Sequence, residues 1–143
     1  MRKRSVEELQ DLSGVLAYEW RMLHCCQEML GESDLCRREE LHDALLESRL
    51  LHVRSLLEFF FVRPRYDDDI ALSCWFCVCT PEYTSFQEFG HASECRKEKK
   101  ALDKYLAHLT SARSNDHKQH KLEVVRWLDE LMILFVKLAG NRV

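Results

Sequence analysis

One apolar stretch of the sequence, residues 46–61, carries an unusual number of side chains that could do chemistry. The spacing of its leucine, valine and phenylalanine residues predicts a helix with apolar residues along most of its surface. Charges and imidazoles on such a helix need either a partner or a function. The side chains concerned are Glu47, Arg49, His52, Arg54 and Glu58.

A catalytic hypothesis joins this helix to a second polar segment, residues 108–113, which we predict to end a later helix. Under this hypothesis His52 and Arg54 come together with His108 and Arg113. Histidine suits a general base because its ordinary pKa lies near neutrality, and arginine can stabilise developing negative charge.

The structural alternative assigns the same helix a polar network without catalysis. Arg54 and Glu58 are four residues apart, and Glu47 lies two turns before Arg54 on the same face. These residues, with Arg49, can form a buried polar ladder that holds the fold together. His52 would then donate to a backbone carbonyl or to Glu47 of a partner chain.

Cysteine and histidine spacing offers a candidate metal site. Cys74 and Cys77 are followed by His91 and Cys95, a pattern close to that of zinc sites. The surrounding sequence, however, predicts a buried apolar segment, where cysteine serves as a small core residue. We therefore expect no metal and no cofactor, and we keep these four residues as an alternative.

Length and composition indicate an ordinary globular protein. The chain has 143 residues, 46% of them hydrophobic and 31% charged, which predicts one domain covering 1–143. The net charge of -3 argues against nucleic-acid binding by the molecule as a whole. With seven cysteines, no secretory leader and no membrane-spanning run, we expect a cytoplasmic protein with reduced thiols.

Helical periodicity predicts an all-α protein that forms a four-helix bundle. Ser5 and Glu8 have the spacing of a capping box at the start of the first helix. Gly14, inside that helix, suggests close helix packing. An irregular, partly helical linker should separate the second and third helices, with a short buried helix that Pro81 ends. The predicted long helices are 6–30, 35–62, 83–109 with a break at Gly90, and 118–139.

The stretch 44–60 is similar to a pattern in small bacterial all-helical proteins: Leu-Glu-Ser, then His-x-Arg, then Leu and two aromatic residues. The acidic turn 67–70 and the segment 104–110, with its His-Leu-Thr end, match the same pattern. On these residues the chain resembles the HEPN superfamily, over about 41–113. The arginine–histidine signature of that superfamily has two matches, Arg37 with His42 and Arg113 with His120, no more than chance provides.

The resemblance implies a metal-independent RNA-cleaving protein, such as a toxin or a phage-defence component. His108 or His52 would act as general base on a ribose 2′-hydroxyl, and Arg54 and Arg113 would hold the phosphate. Its partners would be RNA and a cognate antitoxin or another protein. The alternative is a non-catalytic interaction or dimerisation module, in which the polar side chains of residues 46–61 hold the bundle or the dimer together; non-catalytic members of the superfamily act as nucleotide-binding or structural modules.

A homodimer is expected on two grounds. HEPN ribonucleases generally build their cleft from two subunits. In addition, Phe59, Phe60, Phe61 and Tyr66 exceed what one small bundle needs at that end of the helix, and surplus aromatic surface indicates an interface.

Overall fold

The computed structural model of this chain describes residues 4–32, 39–66, 69–107 and 122–140. Within these ranges all of the regular secondary structure is helical, which confirms the all-α prediction. None of the described helices is long and apolar enough to cross a lipid bilayer. The α-helices are α1 (Val6–Gly31), α2 (Glu39–Phe61), α3 (Pro81–Gln87), α4 (Ala92–Ala107) and α5 (Leu122–Ala139), and a 3-10 turn spans Leu72–Cys74.

Helix α1 begins as its sequence predicts. The Ser5 hydroxyl accepts from the backbone N–H of Glu8 at 3.2 Å, and the Glu8 carboxylate accepts from the backbone N–H of Ser5 at 2.7 Å. This reciprocal pair is a capping box, and it satisfies two N–H groups that the first turn leaves without helical partners. The interpretation of Gly14 as a close-packing site is wrong, because a Cβ there would meet nothing within 4 Å.

Helix α2 is central and packs against α1, α4 and α5, while α4 also contacts α5. Its buried side chains recur at helical spacing, so one broad apolar stripe faces these neighbours. The predicted start of this helix, 35–38, lies outside the described residues. The buried residues are Leu46, Leu50, Val53, Leu56, Leu57, Phe59 and Phe60.

The linker between α2 and α3 differs from its prediction in two ways. Its apolar segment forms only the 3-10 turn instead of a short α-helix. Pro81 does not end that segment; it occupies the first turn of α3, where Thr80 is the N-cap and accepts from the N–H of Tyr83 at 3.3 Å. A proline suits this position because the first helical N–H groups have no partner within the helix.

The aromatic residues at the end of α2 belong to the core. Phe59 contacts Trp75 and Phe135 edge to face, with ring centroids 5.4 and 5.5 Å apart. Phe60 stacks on Phe86 at 5.7 Å. Both phenylalanines are buried, so they do not form surplus surface for a dimer, whereas Tyr66, named in the same argument, is 72% exposed. The sequence could not reveal this burial, because the rings that cover the two phenylalanines come from the linker, α3 and α5.

Candidate functional site

A network of two cations and two carboxylates joins α2 to α4. Arg54 Nε donates to Asp103 Oδ1 at 2.6 Å, and the same guanidinium lies 3.5 Å from Glu58. Lys99 Nζ donates to Asp103 Oδ2 at 2.6 Å and approaches Glu58 at 3.9 Å. Each helix contributes one acid and one base four residues apart, so the network is held both along each helix and between them.

Hydrogen bonding decides the ionisation of Asp103. Partial burial opposes its charge, but hydrogen bonds from Lys99 and then Arg54 outweigh burial and hold the pKa of that carboxyl below its ordinary value. Asp103 is therefore ionised at neutral pH. It and Glu58 neutralise the two cations, which leaves Arg54 poorly suited to hold a phosphate.

The predicted Arg54–Glu58 pair lies in this network, but the two side chains are not buried as the prediction of a buried ladder requires. The Arg54 and Glu58 side chains are 36% and 43% exposed, and no described polar or charged residue is fully buried. The apolar stripe of α2 leaves these side chains at its edge, where they reach α4 and solvent together. Glu47 is half-buried on the same helix.

His52 is fixed by an acid on α1. Its Nδ1 lies 2.8 Å from Glu19 Oε2, and the two side chains are 13% and 24% exposed. Tyr18 meets the imidazole edge to face, with centroids 6.1 Å apart. The structure thus gives His52 a partner within the same chain, whereas the sequence suggested Glu47 of a second chain or a backbone carbonyl.

Arg49 forms a third connection from α2, again to α1. Its Nη1 donates to Gln27 Oε1 at 2.9 Å, and burial lowers its pKa from the ordinary value. A guanidinium retains its charge under physiological conditions even so. Each of the basic side chains Arg49, His52 and Arg54 therefore binds a neighbouring helix.

An equivalent connection between α1 and α5 was not anticipated from the sequence. Asp129 Oδ1 accepts from Trp20 Nε1 at 2.9 Å and lies 2.8 Å from His24 Nε2. Asp129 is more than 100 positions from each of these two residues in sequence. Asp129 lies on an ordinary amphipathic helix, and no local pattern distinguishes it from a solvated acid.

A cleft with a volume of about 310 Å³ lies between α1, α2 and the linker. Its ionisable lining residues are Glu19, Glu58, Arg63 and Asp69. The Asp69 carboxylate accepts from the backbone N–H groups of Tyr66 and Arg65, which lower its pKa. Two of the three acids already face basic side chains, Glu19 at His52 and Glu58 at Arg54, so the lining has no excess of positive charge that would attract the phosphates of RNA.

The proposed catalytic cluster cannot be assembled from the described residues. His108 and Arg113 lie outside them, as do Arg37 and His120 of the arginine–histidine spacings. His52 and Arg54 are described, and their side chains face different helices, α1 for the imidazole and α4 for the guanidinium.

The four candidate zinc ligands lie in different surroundings and make separate contacts. Cys74 Sγ lies 3.8 Å from the backbone carbonyl of Asp69, and the ring of His91 stacks on that of Trp127 with centroids 4.7 Å apart. Cys95 is fully buried, and burial raises the pKa of its thiol to about 12. Cys77 is exposed. Among the described residues no three histidine, cysteine or acidic side chains form a group that could hold a metal ion.

Comparison of the chain with protein-family models, with curated proteins and with solved structures gives no match.

Proposed function

We propose that this chain is a non-catalytic helical interaction module that forms a homodimer through the outer face of α5. In this proposal the four long helices form a four-helix bundle, with α1 joined to α5 through Asp129 and α2 packed between α1 and α4. The observation that carries the proposal is an exposed apolar stripe on α5, formed by Ile133 and Val136.

The polar side chains of α2 support a structural role. His52 and Arg54, on which the catalytic hypothesis depends, are bonded to Glu19 and Asp103. A phosphate ligand needs a guanidinium that is free to contact the phosphate, whereas Arg54 is already paired with Asp103 and Glu58. The contact of His52 with Glu19 joins α2 to α1 in the same way, so both side chains help to orient the helices.

The stripe itself lies at the junction of α5 and α1. Ile133 and Val136 are 68% and 63% exposed, and Trp20 of α1 adds a further apolar surface beside them. Together with Met132 and Lys137 they line one continuous shallow groove. Large side chains clustered in this way are more typical of an interface than are scattered apolar residues.

The charges beside Ile133 favour a second copy as the occupant. Glu130 and Lys137 are seven residues apart, two turns along one side of the stripe. If two α5 helices pack antiparallel around an axis between Ile133 and Leu134, each Glu130 faces Lys137 of the partner subunit. A two-fold interface requires this kind of self-complementarity.

Sedimentation or light scattering across a range of protein concentrations tests the proposal. The wild-type chain should dimerise, and Ile133→Glu should be monomeric because a charge would enter the apolar contact. Leu51→Glu is the matched control, since Leu51 is also an exposed apolar residue of a helix, at 49%. Its dimer should be unchanged.

Charge reversal tests the antiparallel arrangement. Lys137→Glu should weaken the dimer roughly tenfold, because two attractions become two repulsions. The double variant Glu130→Lys with Lys137→Glu should restore it. A wild-type chain that stays monomeric at every concentration contradicts the dimer; a dimer insensitive to Ile133→Glu contradicts this interface.

RNA cleavage, which the HEPN resemblance implies, is the second proposal. The observation that favours it is the Glu19 carboxylate at His52 Nδ1, an arrangement that orients imidazoles for proton transfer. RNA cleavage by purified protein with a chelator present, lost in His108→Ala or His52→Ala and retained in His42→Ala, would support it. Equal activity in all four proteins would remove both histidines from the mechanism.

A further inference from the structure

Two thiols meet at the surface in the turn that precedes α3. Cys77 and Cys79 are both exposed, and their Sγ atoms lie 2.9 Å apart. The turn has a defined backbone: the N–H of Thr80 donates to the carbonyl of Cys77 at 2.9 Å, and the Thr80 hydroxyl donates to the same carbonyl at 2.9 Å. The same turn therefore places both thiols directly before Thr80, the N-cap of α3.

The other described cysteines lack this combination of exposure and a neighbouring thiol. Cys26 and Cys95 are buried. Cys25 is exposed, but the sulfur atom it approaches is that of Met29, at 3.9 Å, which cannot form a disulfide. Cys74 is half-buried against a backbone carbonyl.

We propose that Cys77 and Cys79 form a reversible intrachain disulfide by exchange with a small-molecule disulfide of the glutathione type. Bond formation requires the two sulfur atoms to approach by about 0.9 Å, from the 2.9 Å observed to the roughly 2.0 Å of a disulfide. Neither side chain has to leave a core, so the change is confined to an exposed turn.

The two thiols have unequal roles in this exchange. The hydrogen bond with Cys79 lowers the pKa of the Cys77 thiol, and the same contact raises the pKa of Cys79. Cys77 is thus the better source of a thiolate, which is the nucleophile in thiol–disulfide exchange.

The step balances in two displacements. The Cys77 thiolate attacks one sulfur of the small disulfide, a mixed disulfide forms, and the first small thiolate departs. Cys79, after loss of its proton, attacks Cys77 Sγ, forms the intrachain bond and expels the second small thiolate. The two protein thiols are oxidised by two electrons, and the small disulfide is reduced to two thiols.

Equilibration of the folded chain with mixtures of oxidised and reduced glutathione tests the proposal. Peptide mapping should locate a bond between Cys77 and Cys79 in a peptide that is two hydrogen atoms lighter, and dithiothreitol should reverse this change. Cys25→Ser, a matched control at an exposed cysteine, should form the same bond.

In Cys77→Ser and in Cys79→Ser the remaining thiol of the pair should retain one bound glutathione instead. Circular dichroism verifies that both variants remain folded, as exposed positions allow. A wild-type chain that retains glutathione at Cys77 or Cys79 without closing the bond would overturn the proposal. So would a bond that maps to any other pair, or no change in mass at all.

Discussion

Arg54 on α2 and Asp103 on α4 are 49 residues apart in sequence, and their side chains meet at 2.6 Å. Lys99 completes the contact from the other side of the carboxylate. Because the Arg54 and Asp103 side chains are each 36% exposed, solvent screening limits what the pair contributes. Its main consequence is to fix the rotation of α4 against α2, beside the apolar stripe that the two helices share.

Asp103→Asn should lower the free energy of unfolding by about 1 kcal/mol at neutral pH, since it leaves two cations with one carboxylate between them. Arg126→Gln is the control, because the Arg126–Glu130 pair is longer, at 4.0 Å, and more exposed. That change should cost at most about 0.5 kcal/mol. Chemical denaturation of both variants beside wild type provides the comparison, and equal effects would contradict the role of Asp103.

The same variant predicts a pH dependence. The folded pKa of Asp103 lies below its ordinary value of 3.8, so the folded state binds this proton less readily than the unfolded state. The difference in unfolding free energy between wild type and Asp103→Asn should have its full value above the ordinary pKa. It should disappear as pH falls through the folded pKa. Denaturation curves between neutral pH and strong acid test this sign; a difference that grows on acidification would contradict it.

His52 and Glu19 should be energetically coupled. Their contact is 2.8 Å long, and removal of either residue leaves the other side chain largely buried without its hydrogen-bond partner. His52→Ala should therefore destabilise the fold by about 2 kcal/mol. In a double-mutant cycle with Glu19→Ala the coupling should be about 1 kcal/mol. Unfolding free energies of the four proteins measure it, and strictly additive effects would show that the contact contributes nothing.

Local signals in this chain were predictable, and partnerships between distant elements were not. The capping box of Ser5 and Glu8 involves residues three apart, so sequence alone reveals it. The partners of His52 and Arg54 depend on how α1 and α4 are rotated against α2, which periodicity does not specify. The prediction for Pro81 was wrong because a proline can follow the end of one helix or occupy the first turn of the next. The preceding Thr80, a good N-cap residue, is the sequence feature that indicates the second case.

Two glycines should respond oppositely to alanine. Gly14 lies within α1 with open space at its Cβ position, so Gly14→Ala should stabilise the fold by about 1 kcal/mol through helix propensity. At Gly140 a Cβ would lie 2.8 Å from the carbonyl oxygen of Val136. Gly140→Ala should therefore destabilise by about 1 kcal/mol. Thermal unfolding of the pair is the measurement, and a shift of the same sign in both would contradict the assignment.

Cysteine reactivity should follow the difference between surface and core. Burial raises the pKa of Cys95 to about 12, so at pH 8 its thiolate is scarce and the folded chain also hides the sulfur from reagents. Cys77 is exposed, and the hydrogen bond with Cys79 lowers the pKa of its thiol. Under limiting iodoacetamide, mass mapping should find Cys77 alkylated early and Cys95 only after denaturant is added. If Cys95 in the folded chain were alkylated as fast as Cys77, the core around α4 would have to open readily. The close packing of Cys95 within the apolar core argues against such opening.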